Sequence, residues 1–234
     1  MLKTVPFLLA LLILSTPAFA EQGCDSYPDI PVNITPVFDE PIYDFTADIS
    51  DIQGLLGDMR HSIQENHDRL PLGVTHYQPI MEFHMPVTVT TFPDGLSCAR
   101  VERADVLVGY KNVTVYIANE IPEGSCGFDQ IMGHEQKHIR VNRQILQEYM
   151  PIIEGRLKDY LRIHGVFREE NSDYAVSLLR EKLQEILNGL GQQMTEDNRR
   201  RQHLIDSTEE YVRLTASCNR QLAVVAANFW GTHR

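Results

Sequence analysis

The chain has 234 residues, 43% of them hydrophobic and 23% charged, with a formal net charge of −11. This composition supports a packed core and excludes a collagenous, low-complexity or intrinsically disordered chain. The acidic balance would be repelled by a phosphate backbone, which argues against nucleic acid as a partner.

Residues 1–20 read as a signal peptide. Lys3 precedes an apolar run over residues 5–14, and Ala18-Phe19-Ala20 places small residues at the cleavage site. The expected location is secreted or periplasmic, with no stable membrane span after signal removal, because no later segment has 18 consecutive apolar residues. Residues 21–234 are expected to form one domain. Its α+β part is 21–123, its helical part 124–220 and its apolar tail 221–234. The four cysteines, Cys24, Cys98, Cys126 and Cys218, suggest two disulfides in an exported protein, with three possible pairings. The expected pairing is Cys98–Cys126 with Cys24–Cys218.

In chain order, the proline-rich stretch 21–42 reads as extended, and residues 42–45 as a short strand. Ser50 and Gln53 have capping-box spacing ahead of an amphipathic helix over 50–66. Strands are expected at 83–91, 96–110 and 113–118, the last two joined by a tight turn at Lys111-Asn112. Ser125 can cap a long helix ending at His164, with a kink at Pro151 and a stop at Gly165. Asn171, Ser172 or Asp173 can start a second helix, with Leu179, Leu183, Ile186, Leu187, Leu190 and Met194 on its apolar face. The fold class is therefore α+β: a small antiparallel sheet with one short helix, then a motif helix in a long antiparallel helical hairpin.

His134-Glu135-Gln136-Lys137-His138 spells HExxH. On a helix, positions i and i+4 share a face. Both imidazoles can then ligate one Zn2+ ion, with Glu135 as general base toward the polarised water. The alternatives are a histidine pair satisfied inside a core, or a motif falling by accident on an exposed face. Context favours the metal. Phe128, Ile131, Ile145, Tyr149 and Ile152 form a helical stripe that turns polar at Glu135, His138 and Asn142, and buried polar groups need partners. Asn142 can orient a ligand or be an ordinary buried amide. In zinc peptidases with this motif an edge strand beside the motif helix holds the substrate backbone by β-pairing, and the preceding segment, 113–118, is expected to be that strand.

A third protein ligand must come from elsewhere. Val141 and Gln144 occupy the positions where the extended motif HExxHxxGxxH has glycine and histidine. A helical hairpin turning at 165–172 would set His134 opposite about residue 203 and His138 opposite about residue 199. Candidates are Asp197, His203, Asp206, Glu209 and Glu210. The apolar face defined by Leu204, Ile205, Thr208 and Val212 brings Glu209 closest to its edge. Glu209 is therefore the expected ligand, with Glu210, His203 and Asp206 behind it. Arg199-Arg200-Arg201 reads as a solvated face. Tyr211 reads as a core tyrosine, with oxyanion stabilisation as the minority role.

The run of features resembles a bacterial family of predicted secreted zinc-dependent proteases, first catalogued as a domain of unknown function. The matching stretches are Tyr43-Asp44-Phe45-Thr46-Ala47, Thr75-His76-Tyr77, Cys98, Gly133 with the motif, and residues 202–208. The resemblance implies a metallopeptidase-like fold outside the cytoplasm. Members often carry Asp–Thr–His near the end, whereas this chain has Asp206-Ser207-Thr208-Glu209. The resulting expectation is a secreted zinc metallopeptidase acting on a peptide or protein substrate, cell-wall peptides included. The competing reading is a non-catalytic envelope module that binds protein, with a structural or vestigial metal site.

Overall fold

The structure, a computed structural model, describes residue 24 and residues 29–59 and 70–232. The expected signal peptide and the end of the first helix beyond residue 59 lie outside the described residues.

The central element is a long strand. We number the strands and helices in chain order: β1 (Val32–Phe38), β2 (Ile42–Asp44), α1 (Ile49–Met59), β3 (Gly73–His84), β4 (Val87–Thr91), β5 (Ser97–Val101) and β6 (Ala104–Ile117). β6 carries buried Val106, Val108, Tyr110, Val113, Val115 and Ile117, the alternation that buries one face of a pleated strand. On one side it pairs in parallel with β1 and then β2; on the other it pairs antiparallel with β3. A second sheet joins β4, β5 and β7 (Val166–Glu169) in antiparallel order.

The expected hairpin at Lys111-Asn112 does not form. β6 runs straight through it, and β3 shifts register between His76 and Gln78, so the extra residue is absorbed as a bulge. Asn112 takes φ 52° there, a left-handed conformation that asparagine tolerates better than most residues. Its freed N–H donates to Asp39 Oδ2 at 2.7 Å, between β1 and β2. Segment 113–118 is consequently no edge, since β2 and β3 flank it. The edge of β3 away from β6 is unpaired among the described residues, and β3 was not expected as a strand at all over 73–82. The expected strand 83–91 is likewise two strands, broken at Met85-Pro86. The expected strand 96–110 divides into β5 and the start of β6.

The α1 cap sits two residues earlier than expected. Asp48 Oδ1 accepts from the Asp51 N–H and Asp51 Oδ2 accepts from the Asp48 N–H, a reciprocal box ahead of Ser50.

α2 (Cys126–His164) is the motif helix. Ser125 caps it by accepting from the Phe128 N–H, and Gly165 closes it by donating to Leu161 O, as the sequence implies. It continues unbroken through Pro151. Its buried face drifts along its length: Ile145, Leu146, Ile153, Leu157 and Leu161 are inside, whereas Ile152 is exposed. Asn171 caps α3 (Ser172–Ile205), which packs antiparallel to α2 through buried Leu179, Leu183, Leu187, Leu190 and Met194. The link between these helices holds β7, which pairs with β5 and so lengthens the turn. The helical run then breaks at Asp206. Ser207 caps α4 (Thr208–Ala216), and α5 (Gln221–Thr232) carries the apolar tail.

The disulfides are Cys24–Cys98 and Cys126–Cys218, not the expected pairing. Cys98 lies on β5 in the second sheet, opposite Arg168 of β7, and is not near the start of α2. Cys126 instead opens α2 beside the α4–α5 link, where the Gly127 N–H donates to Gln221 Oε1. Two disulfides fit an oxidising, extracytoplasmic compartment. No helix among the described residues is long and apolar enough to cross a membrane.

Candidate metal centre

α2 turns His134 and His138 toward the α3–α4 junction. Their Nε2 atoms lie 3.3 Å apart. Asp206 Oδ1 lies 3.1 Å from the first and 3.2 Å from the second. A tetrahedral zinc with bonds of about 2.0–2.1 Å holds its ligand atoms about 3.3 Å apart, so this triangle has the dimensions of one face of such a site. The chemistry of the donors agrees. Three atoms that offer lone pairs converge on one point, an arrangement that only a proton or a cation makes favourable. His134, His138 and Asp206 can therefore hold a metal ion.

The carboxylate that joins the two histidines is Asp206 and not Glu209. A single helix through residue 212 would bring Glu209 to the edge of the apolar face, but α3 stops at Ile205 and Ser207 starts a new one. Glu209 falls in the first turn of α4 and is exposed. The hairpin estimate was off by about one turn. His134 meets Asp206, His138 meets Gln202 and Asn142 meets Asn198, because β7 lengthens the turn. His203 is exposed, and Asp197 is taken up by Arg200 and Arg201. The three arginines pair with Glu196, Asp197 and Glu148, as a solvated face does.

Glu210 has a different role from the one weighed for it. Its Oε1 lies 3.4 Å from His134 Nδ1. A carboxylate accepts, so Nδ1 carries the proton and Nε2 keeps its lone pair for the metal, the usual arrangement behind a ligating histidine. Arg213, Lys137 and His134 hold the Glu210 carboxyl well below the usual carboxylate range, against the effect of its partial burial. Asp206 is likewise held low: burial works against ionisation, but bonds to both histidines outweigh it.

Glu135 is 3% exposed. Thr75 of β3 donates to its Oε2 at 2.7 Å. Burial raises its pKa, opposed by the neighbouring His138 and His134 and by the Thr75 bond. Gly73 makes room for it. A Cβ there would stand 2.6 Å from Ile131 Cγ2, 2.9 Å from Glu135 Oε1 and 3.2 Å from the Tyr116 carbonyl. Gly73→Ala is therefore expected to lower stability by about 1–3 kcal/mol, read by urea unfolding, because a packed site must yield.

His138 adds a pH dependence. Burial works to lower its pKa, but the Asp206 bond, the Glu135 and Asp206 charges and the Gln202 bond push it up to about 9 in the metal-free chain. A metal ion binding there must displace that proton at neutral pH, so divalent-metal affinity is expected to rise roughly tenfold per pH unit from 7 toward 9 and then level, measured by chelator competition.

The centre is only partly closed. The side chains of His134 and His138 are 11% and 12% exposed, whereas that of Asp206 is 52% exposed. The three side chains that can hold an ion leave one side open, whereas closed structural zinc sites supply four protein ligands. Thr75, Gln202 and Asn198 were not singled out as site residues from the sequence. A strand at 73–82 would have pointed to Thr75, but the β-pattern there is broken by Gln78-Pro79. Comparison with known protein families, curated proteins and solved structures finds no match to this chain.

Proposed function

We propose that the chain is an exported, secreted or periplasmic, zinc-dependent peptidase of the HExxH type. The observation that carries this reading is the triangle of His134 Nε2, His138 Nε2 and Asp206 Oδ1 on the motif helix, with buried Glu135 one residue after the first ligand. The two histidines and Asp206 would hold the ion. Bound zinc would supply Lewis-acid polarisation of the attacking water and of the scissile carbonyl. Glu135 would take the proton from the water and pass it to the leaving amine, with Thr75 holding one carboxylate oxygen in place. An extended substrate would add along the free edge of β3, which carries Thr75, and not along 113–118.

A peptide library incubated with the oxidised chain tests this. Cleavage that a chelator removes and zinc restores supports the reading. A zinc-loaded chain that cleaves no peptide in the library contradicts it.

A further inference from the structure

We propose that Gln202 is a positioning residue that aims His138 at the metal and is itself locked by a buried amide ladder tied to the sheet. This rests on the zinc reading above and deepens it. Gln202 Oε1 sits against His138 Nδ1, while its Nε2 faces three oxygens: His138 O at 3.3 Å, Asn142 Oδ1 at 2.7 Å and Asn198 Oδ1 at 3.0 Å.

The orientation of this amide is decided by a group that cannot be reassigned. The His138 carbonyl only accepts, so the face of Gln202 turned toward it must be the NH2. Oε1 is then the atom left for Nδ1, and it accepts. In the neutral imidazole Nδ1 carries the proton and Nε2 keeps its lone pair toward His134 Nε2 and Asp206 Oδ1. Flipping Gln202 would set an oxygen against the His138 carbonyl, which has no proton to offer.

The ladder behind it reaches the sheet. Asn198 Nδ2 donates to Asn142 Oδ1 at 2.9 Å and to Tyr110 OH at 3.0 Å, with Tyr77 OH at 3.3 Å. Asn142 and Asn198 are 0% and 4% exposed. Asn142 Nδ2 has no partner among the described residues, an unfavourable feature for a buried donor. That cost accompanies an arrangement in which both asparagines point their oxygens at Gln202. α2, α3, β3 and β6 thus all bear on the tilt of one imidazole.

The test is zinc affinity by chelator competition on the oxidised full chain, for wild type and Gln202→Met. Methionine keeps the length and removes the acceptor for Nδ1. Gln202→Met is expected to bind zinc roughly 10–100-fold more weakly. Methionine binding as tightly as wild type overturns the role of Gln202. A wild type that takes up no zinc overturns the metal reading itself. A second readout needs no variant: the His138 Nδ1 proton in the zinc-loaded chain should exchange slowly by NMR, and rapid exchange would contradict the proposal.

Discussion

Asp206→Ala is expected to cost the chain its metal, whereas Glu209→Ala leaves it in place. Asp206 Oδ1 stands 3.1 and 3.2 Å from the two Nε2 atoms, and Glu209 is exposed in the first turn of the next helix. Removing a ligand should weaken zinc by more than the roughly 100-fold lost when a group behind a ligand is changed. Chelator competition reads the difference. The control is informative because the two carboxylates are three residues apart, one at the α3–α4 junction and one in the first turn of α4, so a general loss of negative charge would weaken both variants alike. Asp206 is half exposed at a helix junction, so its truncation leaves no core cavity. Equal zinc affinity in the two variants would remove Asp206 from the site.

Glu135→Gln separates binding from chemistry. Glutamine has the shape of glutamate and can still bond Thr75, but it cannot carry the proton from water to the leaving amine. Hydrolysis should fall by about 10²–10⁴-fold while zinc remains bound. Stability should move the other way. Burial raises the Glu135 pKa, so the folded metal-free chain holds that proton more tightly than the unfolded chain does. Its contribution to stability therefore falls as pH rises above the ordinary carboxylate range, and a neutral amide has no such loss. Thermal unfolding of the metal-free Gln variant at pH 7 should occur no lower than wild type. Hydrolysis unchanged by the substitution would exclude Glu135 as the base.

The two helices of the hairpin were legible because their signals are local. Ser125 and Gly165 bracket α2, Asn171 opens α3, and Leu179, Leu183, Leu187 and Leu190 repeat at helical spacing. The motif pair was legible for the same reason: four residues on a helix fix a shared face whatever surrounds it. Asp206 was among the candidates but was ranked below Glu209. Ranking them needed the helical phase beyond Ile205, and Ser207, a residue that either continues a helix or caps a new one, resets that phase.

Long-range pairing was the other obstacle. Lys111-Asn112 reads locally as a turn, but β1, β2 and β3 together hold β6 straight, with Asp39 taking the N–H that the bulge frees. Residues 166–169 read as a plain connection and are a strand because β5 lies beside them. The disulfide pairing depends on which sheet holds Cys98, and no local pattern states that. Gln202, Asn142 and Asn198 form a network only once α2 and α3 are in register, since each is individually an unremarkable polar residue on a helix.

Native mass spectrometry of the oxidised chain after zinc addition, beside a His134→Ala/His138→Ala control, tests the central claim most directly. The account predicts one zinc per chain in the wild type and none in the control. A wild type that takes up no zinc, or a control that retains it, would contradict a metal centre at His134, His138 and Asp206.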